Sequence, residues 1–458
     1  MALNRIHCVG IGGSGISAIA RVLLEQGVQV SGSDVHLSPV AHSLAEVGAT
    51  LYEGHAAGHV GEVDAVLVSS AIPESNPEIV EARRRGIPVF KRADLLGHLM
   101  AERIGLAVAG THGKTTTTAM LAWLLTRAGR DPTFIVGGVV SQLGVNARAG
   151  KGRHFVIEAD EYDYMFLGLK PTVAMVTHLE YDHPDCFPTW ADMQHAFERF
   201  LALVPPEGLI LGCGDHPHVN ALLARHYAAP VQRCGLHADN DWQARAVRVN
   251  AWGGHDFTVA YAGQVWGEAG LRLPGLHNVR NALMAIAAAT RVGLSSGEIL
   301  DGLASFTGTE RRFELVGEAR GVTVIDDYGH HPTEIAATLA AARGRYGARP
   351  LWAVFQPHTY SRLKALWGEF LACFAQADHV IVLDIYAARE KETLGVSAEQ
   401  FVAELSALHP DARYIADFHQ AAQYIVEHIE VDGVVITLSA GDGNRVGKLV
   451  LEMLSGDG

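Results

Sequence analysis

Short apolar, β-rich runs alternate with segments of helical periodicity along most of the chain. Near the N-terminus, residues 5–10 predict a strand and residues 16–26 predict a helix. Further strands are predicted in this part at residues 28–33, 64–70 and 87–90. Because strand–helix–strand repeats build parallel sheets, the pattern predicts an α/β fold.

The same alternation starts again after a helical segment at residues 91–103. A strand at 106–109 leads through a Gly/Thr loop into a helix at 116–127. The later elements of this part are predicted as strands at 154–158, 172–178 and 209–212, a small β segment at 252–273 and a helix at 278–292. A polar, glycine-containing stretch at 306–313 is typical of a linker.

The last part of the chain repeats the pattern once more. Its strands are predicted at residues 322–326, 351–356, 379–384 and 434–439. Its helices are predicted at residues 332–345, 362–375, 398–405 and 445–454. We therefore expect three α/β domains, at residues 1–103, 104–309 and 310–458.

Composition excludes several classes of protein. The 458 residues include 36 Lys and Arg against 50 Asp and Glu, a net charge of −14, whereas a general nucleic-acid binder needs a basic field. No apolar run approaches the roughly 20 residues that span a bilayer, and the Gly-rich N-terminus does not fit a signal peptide. The five scattered cysteines form no CxxC pair, which predicts reduced thiols in a cytoplasmic protein.

The strongest chemical signal lies between the strand at 106–109 and the helix after it. Its residues are Gly110, Thr111, His112, Gly113, Lys114, Thr115 and Thr116. Backbone N–H groups at such a helix start can hold phosphate oxygens, while Lys114 reaches the β and γ phosphates and Thr115 binds Mg²⁺. The spacing departs from the usual phosphate loop, because Val108 stands where the first glycine belongs. The alternative is a helix-capping turn that happens to carry a lysine.

Two acidic clusters follow predicted strands. Glu158, Asp160, Glu161 and Asp163 come after one strand, and His183 stands among acids after the next. Ligands bind at this edge of open α/β sheets, so a carboxylate here can take the Mg²⁺ of ATP. A solvated acidic turn and a structural histidine are the respective alternatives, and the pattern does not decide which acid binds the metal.

Polar residues also open a helix and occupy the proposed linker. Asn278 and Asn281 are suited to recognising the edge of a base, although Asn278 is equally suited to capping the helix. Arg312 in the linker can move onto phosphates as domains close. The alternative is that it is a solvent-exposed residue of an ordinary linker.

Both terminal parts carry polar turns at strand ends. In the last part these turns lie at residues 326–334, 355–362 and 439–444. Acids, histidines and an aromatic residue in one tight turn are typical of a functional site. At the other end of the chain, residues 10–15 fit GxGxxG after a strand, with Asp34 some way on. This weak pattern fits a dinucleotide or another diphosphate, such as a nucleotide-sugar.

Taken in order along nearly the whole chain, the motifs resemble the Mur ligase family. The segments that carry the resemblance are AGTHGKTTTT, EADEYD, HNVRNAL, GTERRFE, DDYGHHPTE and FQPHTYSR. The resemblance implies an α/β protein of three-domain Mur ligase architecture, with a Rossmann-like UDP-substrate domain, a P-loop-type central ATPase domain and a Rossmann-like C-terminal domain. It also implies ATP and Mg²⁺ as cofactors.

The resemblance further implies roles for matching positions. ATP is expected at the phosphate loop and at His277, Asn281, Arg312, Asp327 and His330, and Mg²⁺ at Thr115, Glu158 and His183. The UDP substrate is expected at Gly12, Gly13, Ser14, Gly15, Asp34, His55 and Ser70. The amino acid and the lactyl carboxylate are expected at Tyr328, His358 and Arg362. The implied catalytic residues are Lys114, His183, Arg312 and His358.

Within the family, VGIGGSGIS, VSSAI and FQPH are similar to the branch that adds L-alanine to UDP-N-acetylmuramate. The alternative is a relative that recycles murein tripeptide, which typically has a GICG-type loop and an arginine in place of His358. Gly12, Gly13 and His358 favour the alanine-adding branch. Many family members use a carbamylated lysine beside the metal, but no lysine occurs here between Lys170 and Lys364.

The implied reaction runs through an acyl phosphate. The lactyl carboxylate attacks the γ-phosphoryl group of ATP, and L-alanine then displaces phosphate to give UDP-N-acetylmuramoyl-L-alanine. The expected partners are these small molecules, with no nucleic acid and no membrane insertion, in a monomer or homodimer. Two other classes stay open, an NAD-dependent oxidoreductase built on residues 10–15 and a non-catalytic nucleotide-binding module.

Overall fold

The computed structural model describes residues 3–184 and 186–456, which form three successive groups of elements, each around one sheet. The strands of the first group are β1 (Arg5–Val9), β2 (Gln29–Asp34), β3 (Thr50–Glu53), β4 (Ala65–Val68) and β5 (Val89–Lys91). Its helices are α1 (Ser14–Glu25), α2 (Pro39–Glu46), α3 (Pro77–Arg84) and α4 (Arg92–Met100).

The first sheet has the strand order expected of a Rossmann-like domain. Its five strands pair in parallel in the order β3-β2-β1-β4-β5. Apolar residues at helical spacing bury one face of α1, with Ile16, Ile19 and Leu23 each about 1% exposed. The chain order reverses between β1 and β4, and ligands bind at such a switch point.

The second group follows β5 and α4. Its strands are β6 (Ile104–Ala109), β7 (Thr133–Val140), β8 (Val145–Arg148), β9 (His154–Glu158), β10 (Val173–Val176), β11 (Leu209–Cys213), β12 (Val231–Gly235), β13 (Trp242–Val249), β14 (His255–Tyr261) and β15 (Gln264–Leu271). Its helices are α5 (Lys114–Arg127), α6 (Trp190–Leu201), α7 (Pro217–Leu223), α8 (Leu276–Arg291) and α9 (Ser296–Ser305).

The second sheet places the phosphate loop and the acidic clusters on neighbouring strands. Its order is β15-β14-β13-β12-β11-β10-β6-β9-β7-β8. β6, which precedes the phosphate loop, pairs in parallel with β9 on one side and β10 on the other. The carboxyl ends of these three strands therefore meet at one edge, as expected for a ligand site of an open α/β sheet.

The third group forms the C-terminal sheet. Its strands are β16 (Glu314–Ala319), β17 (Val322–Asp327), β18 (Leu351–Phe355), β19 (His379–Val382), β20 (Ala412–Tyr414) and β21 (Val434–Leu438). Its helices are α10 (Pro332–Tyr346), α11 (Tyr360–Ala365), α12 (Trp367–Ala372), α13 (Ala398–Leu405), α14 (Phe418–His428) and α15 (Arg445–Ser455). The order is β16-β17-β21-β18-β19-β20, and among these described strands the edge pair β16–β17 is antiparallel while the other four pairs are parallel.

Two predictions of local structure are wrong. The helix predicted at 362–375 is two helices, α11 and α12, because Leu366 between them adopts a non-helical backbone with φ −113° and ψ 25°. The small β segment predicted from residue 252 begins ten residues earlier, at Trp242, and consists of β13 to β15.

Two compact units divide the chain. The first unit comprises Met1–Ala246, Phe257–Ala269 and Arg280–Phe306, and the second unit comprises Val247–Asp256, Gly270–Val279 and Thr307–Gly458. Each predicted domain contains one of the three sheets, and the boundaries at 103/104 and 309/310 stay predictions. Among the described helices, none has the length and apolar character needed to cross a membrane.

Candidate active site

Glycine shapes the phosphate loop where it leaves β6. Gly110 and Gly113 have φ of 128° and 81°, a region that glycine adopts without strain. A Cβ atom on Gly110 would lie 2.3 Å from the Thr177 hydroxyl oxygen. The loop is therefore held close to the end of β10, and α5 begins directly after it at Lys114. A helix start in this position presents backbone N–H groups to an anion.

The Lys114 ammonium bonds to the backbone of the phosphate loop and to the carboxylate of Glu161. Its ammonium donates to the Gly110 carbonyl at 2.5 Å and to both carboxylate oxygens of Glu161 at 2.9 and 3.0 Å. Burial disfavours the charged ammonium, but Glu161 and Asp160 outweigh it and raise the pKa of Lys114. Lys114 thus carries a full positive charge at neutral pH at the carboxyl end of the sheet.

Two acids of the cluster after β9, Glu161 and Glu158, have different partners. Glu161 is fully buried, and its carboxylate lies 3.7 Å from Nε2 of His183 as well as against Lys114. Glu158 instead accepts a short hydrogen bond from the backbone N–H of Gly137. Sequence reasoning left the choice of acid open, and the buried position of Glu161 between a lysine and a histidine was not foreseen.

The segment after β10 packs onto the phosphate loop. The His178 carbonyl accepts from the Thr111 N–H at 3.0 Å, and Nδ1 of His178 lies 3.0 Å from the Thr111 hydroxyl. His112 forms a short hydrogen bond through Nε2 with the Glu180 carboxylate. These contacts give His178 and Glu180 a position at the site. The sequence named Glu180 only as one of the acids around His183, and it did not single out His178.

Asn281 of α8 also contacts the loop. A Cβ atom on Gly113 would lie 2.7 Å from the Asn281 amide oxygen, so the two residues are in close contact. Asn278 is not the N-cap residue, because α8 begins at Leu276, and its amide donates to the Pro274 carbonyl at 2.7 Å. The structure places His277 at the same helix start, next to Gly275.

The N-terminal glycine turn is held by Asp34. Gly10 has φ of 81°, and the N–H of Gly12 donates to the Asp34 carboxylate at 2.8 Å. Gly13 is the N-cap of α1, which begins at Ser14 and has no side-chain cap. The helix N–H groups beside this turn are therefore placed as in a diphosphate-binding turn.

Arg92 is a residue at this turn that the sequence analysis missed. Its guanidinium would contact a Cβ atom on Gly15 at 2.6 Å, and it forms an ion pair with Asp160 at 3.3 Å. A basic side chain beside a helix N-terminus raises the local positive potential. Nothing in the motif signals it, because Arg92 is 77 residues from Gly15 in sequence.

Two further predicted UDP-substrate residues have protein partners. Nδ1 of His55 lies 3.0 Å from the Ser33 hydroxyl and 3.3 Å from the Glu78 carboxylate. The Ser70 hydroxyl donates to Asp163 at 2.6 Å. Ser70 therefore sits beside the acidic cluster that follows β9.

Glu78 is a buried acid surrounded by donors. Burial would raise the pKa of Glu78, but the nearby His7 imidazole, at 3.7 Å, and hydrogen bonds from the Ser33 hydroxyl and the N–H of Ala56 lower it to about 2. Its other carboxylate oxygen lies 2.9 Å from Nδ1 of His59. This cluster connects β1, β2 and α3, and no motif in the sequence signals it.

In the second unit, polar residues gather around Tyr328 at the end of β17. Arg311 and Arg312 lie over its ring at 5.1 and 5.2 Å, and Arg312 pairs with Glu334 at 3.6 Å. Asp327 accepts from the N–H groups of Phe313 and Gly329 at 2.8 and 2.7 Å.

Asp327 is protonated more readily than an ordinary aspartate. Burial raises its pKa to about 6, although Arg312 and the two N–H donors act in the opposite direction. The predicted residues Arg312, Asp327 and Tyr328 are thus brought together in one cluster.

Rings connect this cluster to the end of β18. The His330 ring lies 5.5 Å from the rings of both Tyr328 and His358, measured between centroids. His358 stacks on Tyr386 at 5.6 Å, and Nη1 of Arg362 lies 3.2 Å from Nδ1 of His358. Sequence reasoning selected all of these residues except Tyr386, which follows β19 outside any motif.

Three family models match the chain. They are the Mur ligase family catalytic domain at residues 5–104, the Mur ligase middle domain at 108–289 and the Mur ligase glutamate ligase domain at 311–441. Together they cover most of the chain. The chain belongs to the Mur ligase family. The predicted family and its three-domain α/β architecture are confirmed.

Individual Mur ligases are similar over the full length. A UDP-N-acetylmuramate–L-alanine ligase from Geotalea uraniireducens is 42% identical over 456 residues, 99% of each chain. The solved UDP-N-acetylmuramate-alanine ligase of Thermotoga maritima matches with a TM-score of 0.83 at 26% identity over 100% of both chains. A murein peptide ligase from Psychrobacter arcticus matches with a TM-score of 0.72 at 28% identity over 98% of both.

Proposed function

We propose that this Mur ligase joins L-alanine to the lactyl carboxylate of UDP-N-acetylmuramate at the expense of ATP. The observation that carries the proposal is the 42% identity to a ligase of that name over 99% of both chains. The products are UDP-N-acetylmuramoyl-L-alanine, ADP and phosphate. The reaction supplies a precursor for peptidoglycan synthesis.

The chemistry starts from the weakness of a carboxylate as an acylating agent. Attack of a lactyl oxygen on the γ-phosphorus of ATP forms a carboxylic–phosphoric anhydride and releases ADP. The amine of L-alanine then attacks the acyl carbon, and phosphate leaves with the former carboxylate oxygen. Exclusion of water is essential, because water attacks the same carbon.

Lys114 is proposed as the main cationic group at the phosphates. Its ammonium is charged and held at the helix start, where N–H groups of the loop face the same anion. ATP binding exchanges the Glu161 carboxylate for phosphate oxygens around Nζ. His277, Asn281, Asp327 and His330 are proposed to contact the nucleoside, and Arg312 the phosphates.

The donor set at the end of β9 fits Mg²⁺. Hydroxyl and carboxylate oxygens are its preferred ligands, and Thr115 directly after Lys114 and Glu158 at the end of β9, which acts electrostatically on Lys114, offer them. Nε2 of His183 lies 3.7 Å from Glu161, the acid that binds Lys114. We propose Thr115, Glu158 and His183 as the residues that hold the ion. When bound, it supplies neutralisation of the charge on the phosphates.

The remaining predicted residues are proposed to position the two substrates. Gly12, Gly13, Ser14, Gly15 and Asp34, together with His55 and Ser70, are assigned to the UDP-sugar. Tyr328, His358 and Arg362 are assigned to the amino acid and the lactyl carboxylate. The cytoplasmic location and a monomeric or homodimeric state stay predictions.

The test is an assay of ADP formation with the purified full-length protein. UDP-N-acetylmuramate, ATP and Mg²⁺ are supplied with L-alanine or with the murein tripeptide L-Ala-γ-D-Glu-meso-diaminopimelate. We expect L-alanine to support turnover and the tripeptide not to. Turnover with the tripeptide alone assigns the protein to the recycling branch and overturns the proposal.

A further inference from the structure

Two histidines and one acid of the first unit form a cluster that contains none of the three proposed Mg²⁺ ligands, although it lies in the same two segments of the chain as Thr115 and His183. They are His112 in the phosphate loop and His178 and Glu180 in the segment after β10. One ligand atom from each residue lies within 4.8 Å of the ligand atoms of the other two. All three side chains are partly buried, so their positions are constrained by packing.

The geometry around the cluster orients its donors. Nε2 of His112 is in direct contact with the Glu180 carboxylate, and the rings of His112 and His178 lie 5.0 Å apart between centroids. The Thr111 hydroxyl engages Nδ1 of His178 at 3.0 Å. Such a contact to the second ring nitrogen is the usual way in which a metal-binding imidazole is oriented.

A further histidine borders the cluster. The ring of His216, which is the N-cap of α7, lies 3.9 Å from the ring of His178 between centroids. The local environment is therefore rich in imidazole, on three separate segments of the chain. Folding brings these segments together, because residues 112, 178 and 216 follow the neighbouring strands β6, β10 and β11.

The donor atoms of this cluster favour one class of metal ion. Two imidazoles and one carboxylate are a typical three-residue set for Zn²⁺, which binds four ligands and accepts nitrogen readily. Mg²⁺ instead prefers oxygen ligands in an octahedral arrangement and keeps several waters. Two of the three donors here are imidazoles, whereas Thr115 and Glu158 give the proposed Mg²⁺ set two oxygen donors beside the single imidazole of His183, so the cluster favours a transition-metal ion more strongly.

We propose that His112, His178 and Glu180 form a second metal site, for a divalent transition-metal ion of the zinc class. Binding replaces the hydrogen bond between His112 and Glu180 by one bond from each residue to the ion, with loss of the shared proton. Because His112 belongs to the phosphate loop, the ion ties this loop to the segment after β10.

The test measures Zn²⁺ binding by equilibrium dialysis of the full-length protein in excess Mg²⁺, without nucleotide or other substrates. We expect one Zn²⁺ per chain under these conditions. His178→Asn keeps a polar atom near the position of Nδ1 but removes a ligand, and we expect at least a 10-fold weaker affinity. Glu180→Gln should weaken binding similarly. As a matched control, His36→Asn alters an imidazole that is 90% exposed and should leave Zn²⁺ binding unchanged.

Three results overturn the proposal. They are absence of Zn²⁺ binding to the wild-type protein, equal affinity in His178→Asn and Glu180→Gln, and displacement of the Zn²⁺ by Mg²⁺ one for one. The last would place Zn²⁺ at the Mg²⁺ ligands. Replacement of Zn²⁺ by Co²⁺ gives visible d–d absorption, whose intensity reports the coordination geometry of the bound ion independently. Because no substrate is present, failure of the ligase assay leaves this test intact.

Discussion

Lys114 is the residue on which the proposed chemistry depends most. Its position at a helix start opposes the helix dipole, and the Glu161 carboxylate compensates for this. When ATP binds, its phosphate groups compensate for the helix dipole in place of Glu161. The sequence predicted this lysine because a strand, a Gly/Thr loop and a helix follow one another locally, with no need of distant partners.

Replacement of Lys114 should therefore abolish phosphoryl transfer. We expect Lys114→Ala to lower kcat for ADP formation by at least about 10²–10³-fold, the cost of removing one preorganised donor to developing charge. Lys170→Ala changes an exposed lysine of the same unit and serves as the matched control. Near-normal turnover of Lys114→Ala would refute the assignment of the phosphate site.

Glu78 provides a residue-scale prediction about stability. Its pKa of about 2 lies below the ordinary value of 4.5, so its charge stabilises the fold fully above pH 4.5. That contribution is lost as the pH falls from 4.5 towards 2. Glu78→Gln should lower the free energy of unfolding at pH 7 by about 1–3 kcal/mol, since buried donors lose their charged acceptor.

Urea unfolding at a series of pH values measures this effect. The difference between wild type and Glu78→Gln should shrink as the solution becomes acidic below pH 4.5. Glu62→Gln is the control, because that side chain is 86% exposed and its pairing with Arg5 is a surface contact. A difference that stays constant with pH would contradict the low pKa of Glu78.

The sequence did not predict which side chains of the site contact one another. Glu161, Arg92 and His178 acquire their positions from the order of strands in the sheet, not from spacing along the chain. Tyr386 is brought to His358 in the same way, after β19. A one-dimensional motif contains no information about which strand lies next to which.

At the scale of elements, the hydrophobic pattern predicted most of the strands and helices. β6, β9 and β18 are buried apolar runs, which are distinctive, and α10 begins at the proline that suits a first turn. The break at Leu366 was not predictable, because each of α11 and α12 has ordinary helical composition.

The contact of α4 with the 3-10 helix Tyr162–Gly168 depends on glycine. A Cβ atom on Gly97 would lie 2.1 Å from the Gly168 carbonyl oxygen, which is backbone and cannot turn aside. Gly97→Ala should therefore lower the free energy of unfolding by about 1–3 kcal/mol. Thermal unfolding monitored by circular dichroism measures this decrease in stability.

Gly297→Ala is the matched control within a helix. It lies in α9 with no atom within 4 Å of the added Cβ, so we expect a gain of about 0.5–1 kcal/mol from helix propensity. Opposite signs for the two substitutions support the close approach of α4. Equal effects would show that Gly97 is not packed as described.

For the whole molecule, the three sheets correspond to the three tasks of the proposed reaction. The first carries the glycine turn for a diphosphate, the second the phosphate loop, and the third the cluster around Tyr328 and His358. The net charge of −14 is compatible with anionic ligands, because local donors hold them. Part of the negative charge lies in the acids beside Lys114.

The origin of the oxygen in the released phosphate tests the central claim most directly. UDP-N-acetylmuramate labelled with ¹⁸O in its lactyl carboxylate is turned over with ATP and L-alanine, and the phosphate is analysed by mass spectrometry. An acyl phosphate intermediate predicts one ¹⁸O atom in each phosphate, matched by one UDP-N-acetylmuramoyl-L-alanine. Phosphate without the label, with its new oxygen taken from water, would contradict activation of the carboxylate by ATP.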